Sequence, residues 1–157
     1  LILAPSVPVL PPALLEDNML TDRDKLVWLN LRLRLSDTRH DRTLPGVREL
    51  GQSTGLGSKD TIARALAMLR CRRYLSVCAA AWHSGGRKVG TAYALHAPRL
   101  TVHDAIFLDP EYPGFVKNLT DHSVVRLRVA ARQEIVSLSN LESETRPGVS
   151  LLSQDAK

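Results

Sequence analysis

Residues 44–73 read LPGVRELGQSTGLGSKDTIARALAMLRCRR. Pro45 suits a first helical turn, where no N–H partner is needed, and predicts a short helix over 45–53. Gly55 and Gly57 break that pattern and supply the backbone freedom of a tight turn. Ser58 follows as a natural N-cap, its hydroxyl placed to accept from the free N–H groups of the next turn. Ile62, Ala65, Leu66 and Leu69 then recur at helical spacing and form one apolar face. On a helical wheel over 58–72, Ile62, Leu66 and Leu69 point inward. Asp60, Ala63, Arg64 and Ala67 point outward, with Lys59 and Thr61 on the flanks. Two short helices joined by a glycine turn predict a helix-turn-helix, whose second helix enters the major groove of DNA.

After this motif the pattern changes from helix to strand. Tyr74–Trp82 and Val89–His96 suit two strands, and the connection between them carries Gly85-Gly86 followed by Arg87 and Lys88. Gly-Gly between two strand-like runs is a hairpin signal. A basic hairpin directly after a helix-turn-helix reads as a wing, set against the phosphate backbone or reaching a minor groove.

Upstream, Thr21 opens a helix expected to end near Ser36, with Asp22 and Asp24 in its first turn and Leu26, Leu29 and Leu33 on its core side beside Trp28 and Leu35. Residues 36–43 are polar and read as a surface loop. Residues 1–19 are apolar, with prolines at 5, 8, 11 and 12, and predict an extended arm or linker. Downstream, Thr101 caps a short helix ending at Leu108. A second helix holds Tyr112, Phe115, Val116 and Leu119. Asp121 is expected to cap a longer one to about Leu141, with Val124, Leu127, Ala131, Ile135 and Leu138 on one face. That face either docks on the preceding domain or pairs with a second chain. The expected organisation is an arm over 1–19, a winged helix-turn-helix domain over 20–97, a helical extension over 98–141 and a mobile tail over 142–157. The fold class is mainly α with a small β-hairpin, an α+β arrangement.

The chain has 157 residues and a formal net charge of +5. The charge is unevenly placed: residues 20–100 carry fifteen Lys and Arg against six Asp and Glu, while both flanks are slightly acidic. Such a concentration attracts polyanions, because each neutralised phosphate releases counterions. No run of about 18 apolar residues exists, so no membrane partner is expected. A chain that opens on Leu1 reads as a piece of a longer one. Cys71 and Cys78 lack the second ligand pair of a zinc site, and a reduced cytoplasmic setting with association to the nucleoid is the simpler expectation. The five histidines show no metal-binding spacing, and no phosphate-binding G-x4-G-K-[ST] loop occurs. No catalytic residue, metal or cofactor is expected, and the chain reads as a binder rather than an enzyme.

The DNA-binding candidates are Arg48, Ser58, Lys59, Asp60, Thr61, Arg64, Arg87 and Lys88. Arg64 is best placed to donate to a guanine edge, although Asp60 could instead hold it in a helix-surface ion pair. Ser58, Lys59 and Thr61 lie where helix-start N–H groups also meet phosphate. Arg48 contacts phosphate or braces the second helix, and Arg87 and Lys88 serve the wing. Arg70, Arg72 and Arg73 suit the negative end of their helix better than DNA. Trp82 and Tyr93 read as core or hinge aromatics rather than base-stacking groups.

The motif resembles the winged helix-turn-helix of GntR-type regulators. Leu44-Pro45-x-x-Arg48-Glu49-Leu50, then Gly55, then Ser58-Lys59-x-Thr61-Ile62-x-x-Ala65-Leu66 follows that family's pattern, and Tyr93-Ala94-Leu95 continues it. The resemblance covers roughly residues 20–96. Gly57 stands as one extra residue in the turn, and Ala63 stands where the family carries a DNA-contacting arginine. Past residue 97 the chain is shorter than the family's effector-binding domains. The longer pattern, including LHAPRLTVHDAIFLDPEYPGFV (95–116), is similar to replication-associated proteins of bacterial integrative and pathogenicity-island elements. That likeness implies double-stranded DNA binding in replication or maintenance of a mobile element, with other replication or segregation proteins as partners. The alternatives are a dimeric transcriptional regulator, joined through its C-terminal helix, and a winged helix that binds protein instead of DNA.

Overall fold

The computed structural model describes residues 11–37, 43–44, 55, 57–77, 81–82 and 88–144. In chain order its elements are α1 (Pro12–Leu15), α2 (Asp22–Asp37), β1 (Thr43–Leu44), α3 (Lys59–Cys71), β2 (Leu75–Val77), β3 (Ala81–Trp82), β4 (Lys88–Leu95), α4 (Val102–Leu108), α5 (Tyr112–Leu119) and α6 (Val125–Glu144). The protein is mainly helical with a small antiparallel sheet. The helix expected over 45–53, with Arg48, lies outside the described residues, as does the tail beyond 144.

α2 starts where the sequence places it, through a reciprocal cap. Thr21 Oγ1 accepts from the Asp24 amide at 3.2 Å, and Asp24 Oδ2 accepts from the Thr21 amide at 3.0 Å. Its buried face corrects the expected one. Asp24, Val27, Trp28 and Leu31 are buried, whereas Leu26 and Leu33 are 43% and 40% exposed. Two fixed contacts turn the helix this way: the Trp28 indole donates to the Tyr74 carbonyl at 3.2 Å, and Arg126 holds Asp24 through two bonds of 2.7 and 3.0 Å. Burying the indole outweighs burying a leucine, and Asp24 can enter the interior because its charge is paired.

α3 lies at the centre and packs against α2, β2, α5 and α6. It ends in a Schellman turn. The Tyr74 amide reaches the Leu69 carbonyl at 2.9 Å and the Arg73 amide the Arg70 carbonyl at 3.1 Å. The left-handed residue such a turn needs, usually glycine, is here Arg73 at φ 71°.

In the sheet, β4 is central. β2 pairs with it from Leu75↔Leu95 to Val77↔Tyr93, and β3 continues the pairing at Ala81↔Gly90 and Trp82↔Lys88, with a register shift between them. This is the antiparallel pairing expected on either side of Gly85-Gly86; residues 83–87 lie outside the described residues. β1 pairs with β4 through Thr43↔Ala92 and Leu44↔Thr91, giving the order β1-β4-β2.

Two boundaries differ from expectation. α6 begins at Val125, so Asp121 does not cap it. Residues 120–122 continue the turn that ends α5, their amides bonding back to Lys117, Asn118 and Leu119 carbonyls, and His122 Nδ1 accepts from the Val124 amide at 3.0 Å. At the other end, the described part of the arm is folded rather than extended. Prolines in a first turn lose no helical hydrogen bond, so Pro12 can open α1, and Leu14 is wholly buried. The extension does dock: Tyr112, Val116, Leu127, Ala130 and Ala131 share one apolar cluster with Trp28, Ile62, Met68 and Leu69.

Candidate nucleic-acid interface

The first two turns of α3 face solvent. Lys59, Asp60, Ala63 and Arg64 are exposed and Thr61 is half-buried, while Ile62, Ala65, Leu66, Met68 and Leu69 are buried behind them. Ser58 caps the helix as expected, its hydroxyl accepting from the Thr61 amide at 3.4 Å and lying 3.2 Å from Thr61 Oγ1. Among the described residues Asp60 and Arg64 form no ion pair with each other. Ala67 is half-buried, so the exposed face is widest at the helix start.

The turn before α3 needs its glycines. Gly55 has φ 67° and Gly57 φ 137°. A Cβ on Gly57 would also come within 3.1 Å of the Thr61 side chain. Gly57→Ala is therefore expected to lower stability by about 1 kcal/mol or more, read as a lower urea midpoint at unchanged denaturant slope.

Of the remaining sequence candidates, Arg48 and Arg87 lie outside the described residues. Lys88 begins β4 opposite Trp82, and its side chain lies outside them too.

The C-terminal end of α3 holds what the sequence reading missed. Arg70 grips Asp109 through two bonds of 2.8 and 3.0 Å and stacks over Phe115, 4.1 Å from the ring centre. Arg72 donates to Asp17 at 2.9 Å and lies 3.7 Å from Glu134. Arg73 donates to Glu134 and to the Leu100 carbonyl. The helix-end account of these arginines is thus replaced by specific carboxylates: Asp17 before α2, Asp109 between α4 and α5, and Glu134 on α6. Arg99 approaches Glu134 at 3.8 Å. The Tyr112 hydroxyl donates to the Cys71 carbonyl at 2.7 Å and sits 3.1 Å from Glu134. Three arginines around one buried glutamate clamp the extension to α3. The clustering of arginine at 70–73 signalled a need for carboxylates, but nothing in local spacing says which.

Titration follows from this burial. Burial pushes the Cys71 thiol up to about 11, so it stays protonated. Burial also opposes ionisation of Asp17, but hydrogen bonds from Tyr74 and Arg72 outweigh it and hold the carboxyl below its usual value. Burial and the Asp17 contact raise the Tyr74 phenol to about 12. His96, 2.9 Å from Ser76 Oγ, is lowered by burial. Among the described residues no group of three His, Cys, Asp or Glu is placed to hold a metal ion, and no helix is long and apolar enough to cross a membrane.

With this geometry in hand, comparison with protein families, curated proteins and solved structures returns no match for the chain.

Proposed function

We propose that this chain binds double-stranded DNA, with α3 as the recognition helix in the major groove and the hairpin loop between β3 and β4 as a basic wing on the backbone or minor groove. The observation that carries the reading is the exposed start of α3, where Lys59 and Arg64 flank a small Ala63 that lets the helix approach base edges closely. The order of elements supports it: a helix, a short strand, the LPGVREL segment, α3 and then a paired hairpin. So does the basic excess of residues 20–100, which suits a phosphate backbone. The narrower setting, replication or maintenance of a bacterial mobile element, rests on the resemblance of residues 95–116. No catalytic step belongs to this reading.

A second reading, a dimeric transcriptional regulator, is favoured by one observation. α6 turns Val125 and Val136, 58% and 60% exposed, to solvent together with Val129, an apolar stripe at helical spacing on the side away from α3. Selection of bound duplexes from a random pool, followed by sequencing, separates the readings. Enrichment of repeated direct sites is the result expected for a replication component. A palindrome with half-sites about one helical turn apart would indicate the dimeric regulator. No enrichment and no duplex binding would leave α3 as a protein-binding surface.

A further inference from the structure

Beside the exposed start of α3 lies a cavity of about 420 Å³ whose lining reaches beyond that helix to α2 and α6. It forms where α2, α3 and α6 meet. Arg23 comes from α2, Arg64 from α3 and Arg126 from α6, and Thr21 and Thr61 add hydroxyls. Among the described lining residues only Val124 is apolar, unlike the largely apolar wall typical of a metabolite pocket. Asp22 is the one acidic residue among the described lining. Asp24 lies wholly buried behind Arg126 and fixes it through two bonds of 2.7 and 3.0 Å. Those bonds occupy two of the five guanidinium N–H groups, and the Arg126 side chain remains 32% exposed. Arg23 and Arg64 are exposed.

We propose that this cavity is a phosphate site that takes a backbone phosphodiester of the bound duplex, so that α6 completes the DNA-binding surface. The chemistry is that of paired arginines: the planar donors of Arg23 and Arg126 match phosphate oxygens, and Arg126 is already oriented by a buried carboxylate, while Arg64 at the mouth keeps its guanidinium for a base edge. Threonine hydroxyls supply further donors at the rim. The cavity shares Thr61 and Arg64 with the exposed start of α3, so a strand lying along that helix would pass its mouth. The proposal rests on the DNA reading for the source of the phosphate, but not for the site itself.

The test uses the full chain and Arg23→Ala, since Arg23 is exposed and its removal leaves the buried Asp24–Arg126 pair intact. Affinity is titrated over salt on a selected duplex and on a scrambled one, and thermal midpoints are measured with and without inorganic phosphate. Arg23→Ala is expected to bind both duplexes about fivefold more weakly near physiological salt, with a salt slope shallower by roughly one unit. Arg23→Lys, which keeps the charge, should recover most of that slope. An unchanged slope in Arg23→Ala, with wild-type duplex binding intact, would overturn the proposal and leave the DNA reading standing. If the wild-type chain binds no duplex, yet phosphate raises its midpoint and not that of Arg23→Ala, the DNA source is overturned and the phosphate site is upheld. Phosphate without effect on either, together with an unchanged slope, would dispose of the site altogether.

Discussion

Glu134→Gln is expected to cost about 3–5 kcal/mol of folding stability, the usual consequence of removing one partner from a buried ion pair. Glu134 is 3% exposed and accepts from Arg73, with Arg72 and Arg99 at 3.7 and 3.8 Å. Glutamine keeps the volume, so cavity formation cannot account for the loss. What changes is charge. Arg73, only 9% exposed, would lose its carboxylate, and among the described residues the three neighbouring guanidiniums would retain only Asp17 as a counter-charge. Urea unfolding reads the result as a lower midpoint at constant slope. Glu134→Asp, which keeps the charge on a shorter arm, should lose less than Glu134→Gln. Equal losses in both would mean that geometry rather than charge holds α6 to α3. Arg73 itself sits at φ 71°, a conformation that costs a non-glycine residue about 1–2 kcal/mol. Its ion pair and its bond to Leu100 offset that strain.

Arg64→Ala is expected to lower affinity for a selected duplex by about 1–3 kcal/mol, roughly 5- to 150-fold, and to relax preference at one base pair. Arg64 is exposed on the first turns of α3 and makes no ion pair with Asp60, so its guanidinium is available to a ligand. The loss should be larger on the selected duplex than on a scrambled one, in contrast to the uniform loss expected of Arg23→Ala. Equal losses on both duplexes would assign Arg64 to phosphate alone and move base reading to other residues of the helix.

Local signals carried much of the fold. Thr21, Ser58 and Thr101 each cap the helix that follows them, because a side-chain oxygen accepting an amide two or three residues on is a short-range event. The apolar spacing of Ile62, Ala65, Leu66 and Leu69 gave the buried face of α3, and the Gly85-Gly86 signal gave the pairing of β2 and β3 with β4. What escaped was set by long-range charge. Asp109, Asp17 and Glu134 lie 39, 55 and 61 residues from the arginines they hold, and no periodicity spans such distances. Glu134 sits on the face of α6 that the sequence reads as apolar, where a carboxylate is buried only because arginines await it. Asp24 is similar: it reads as a first-turn acid favoured by the helix dipole, yet its pairing with Arg126, 102 residues away, carries it inside and rotates α2. In the candidate interface, the exposed placement of Lys59, Asp60 and Arg64 and the flanking place of Thr61 were legible from one helical wheel, and Ser58 from its capping chemistry. The proximity of Arg23 and Arg126 to Arg64 was not, since three separate helices must meet before their cavity exists.

The most direct measurement is duplex affinity of the full chain as a function of salt. The account predicts binding at about 50 mM salt that weakens linearly on a log–log plot, with a slope near −4 for roughly four neutralised phosphates. Absence of duplex binding at that low salt, or an affinity indifferent to salt, would contradict it.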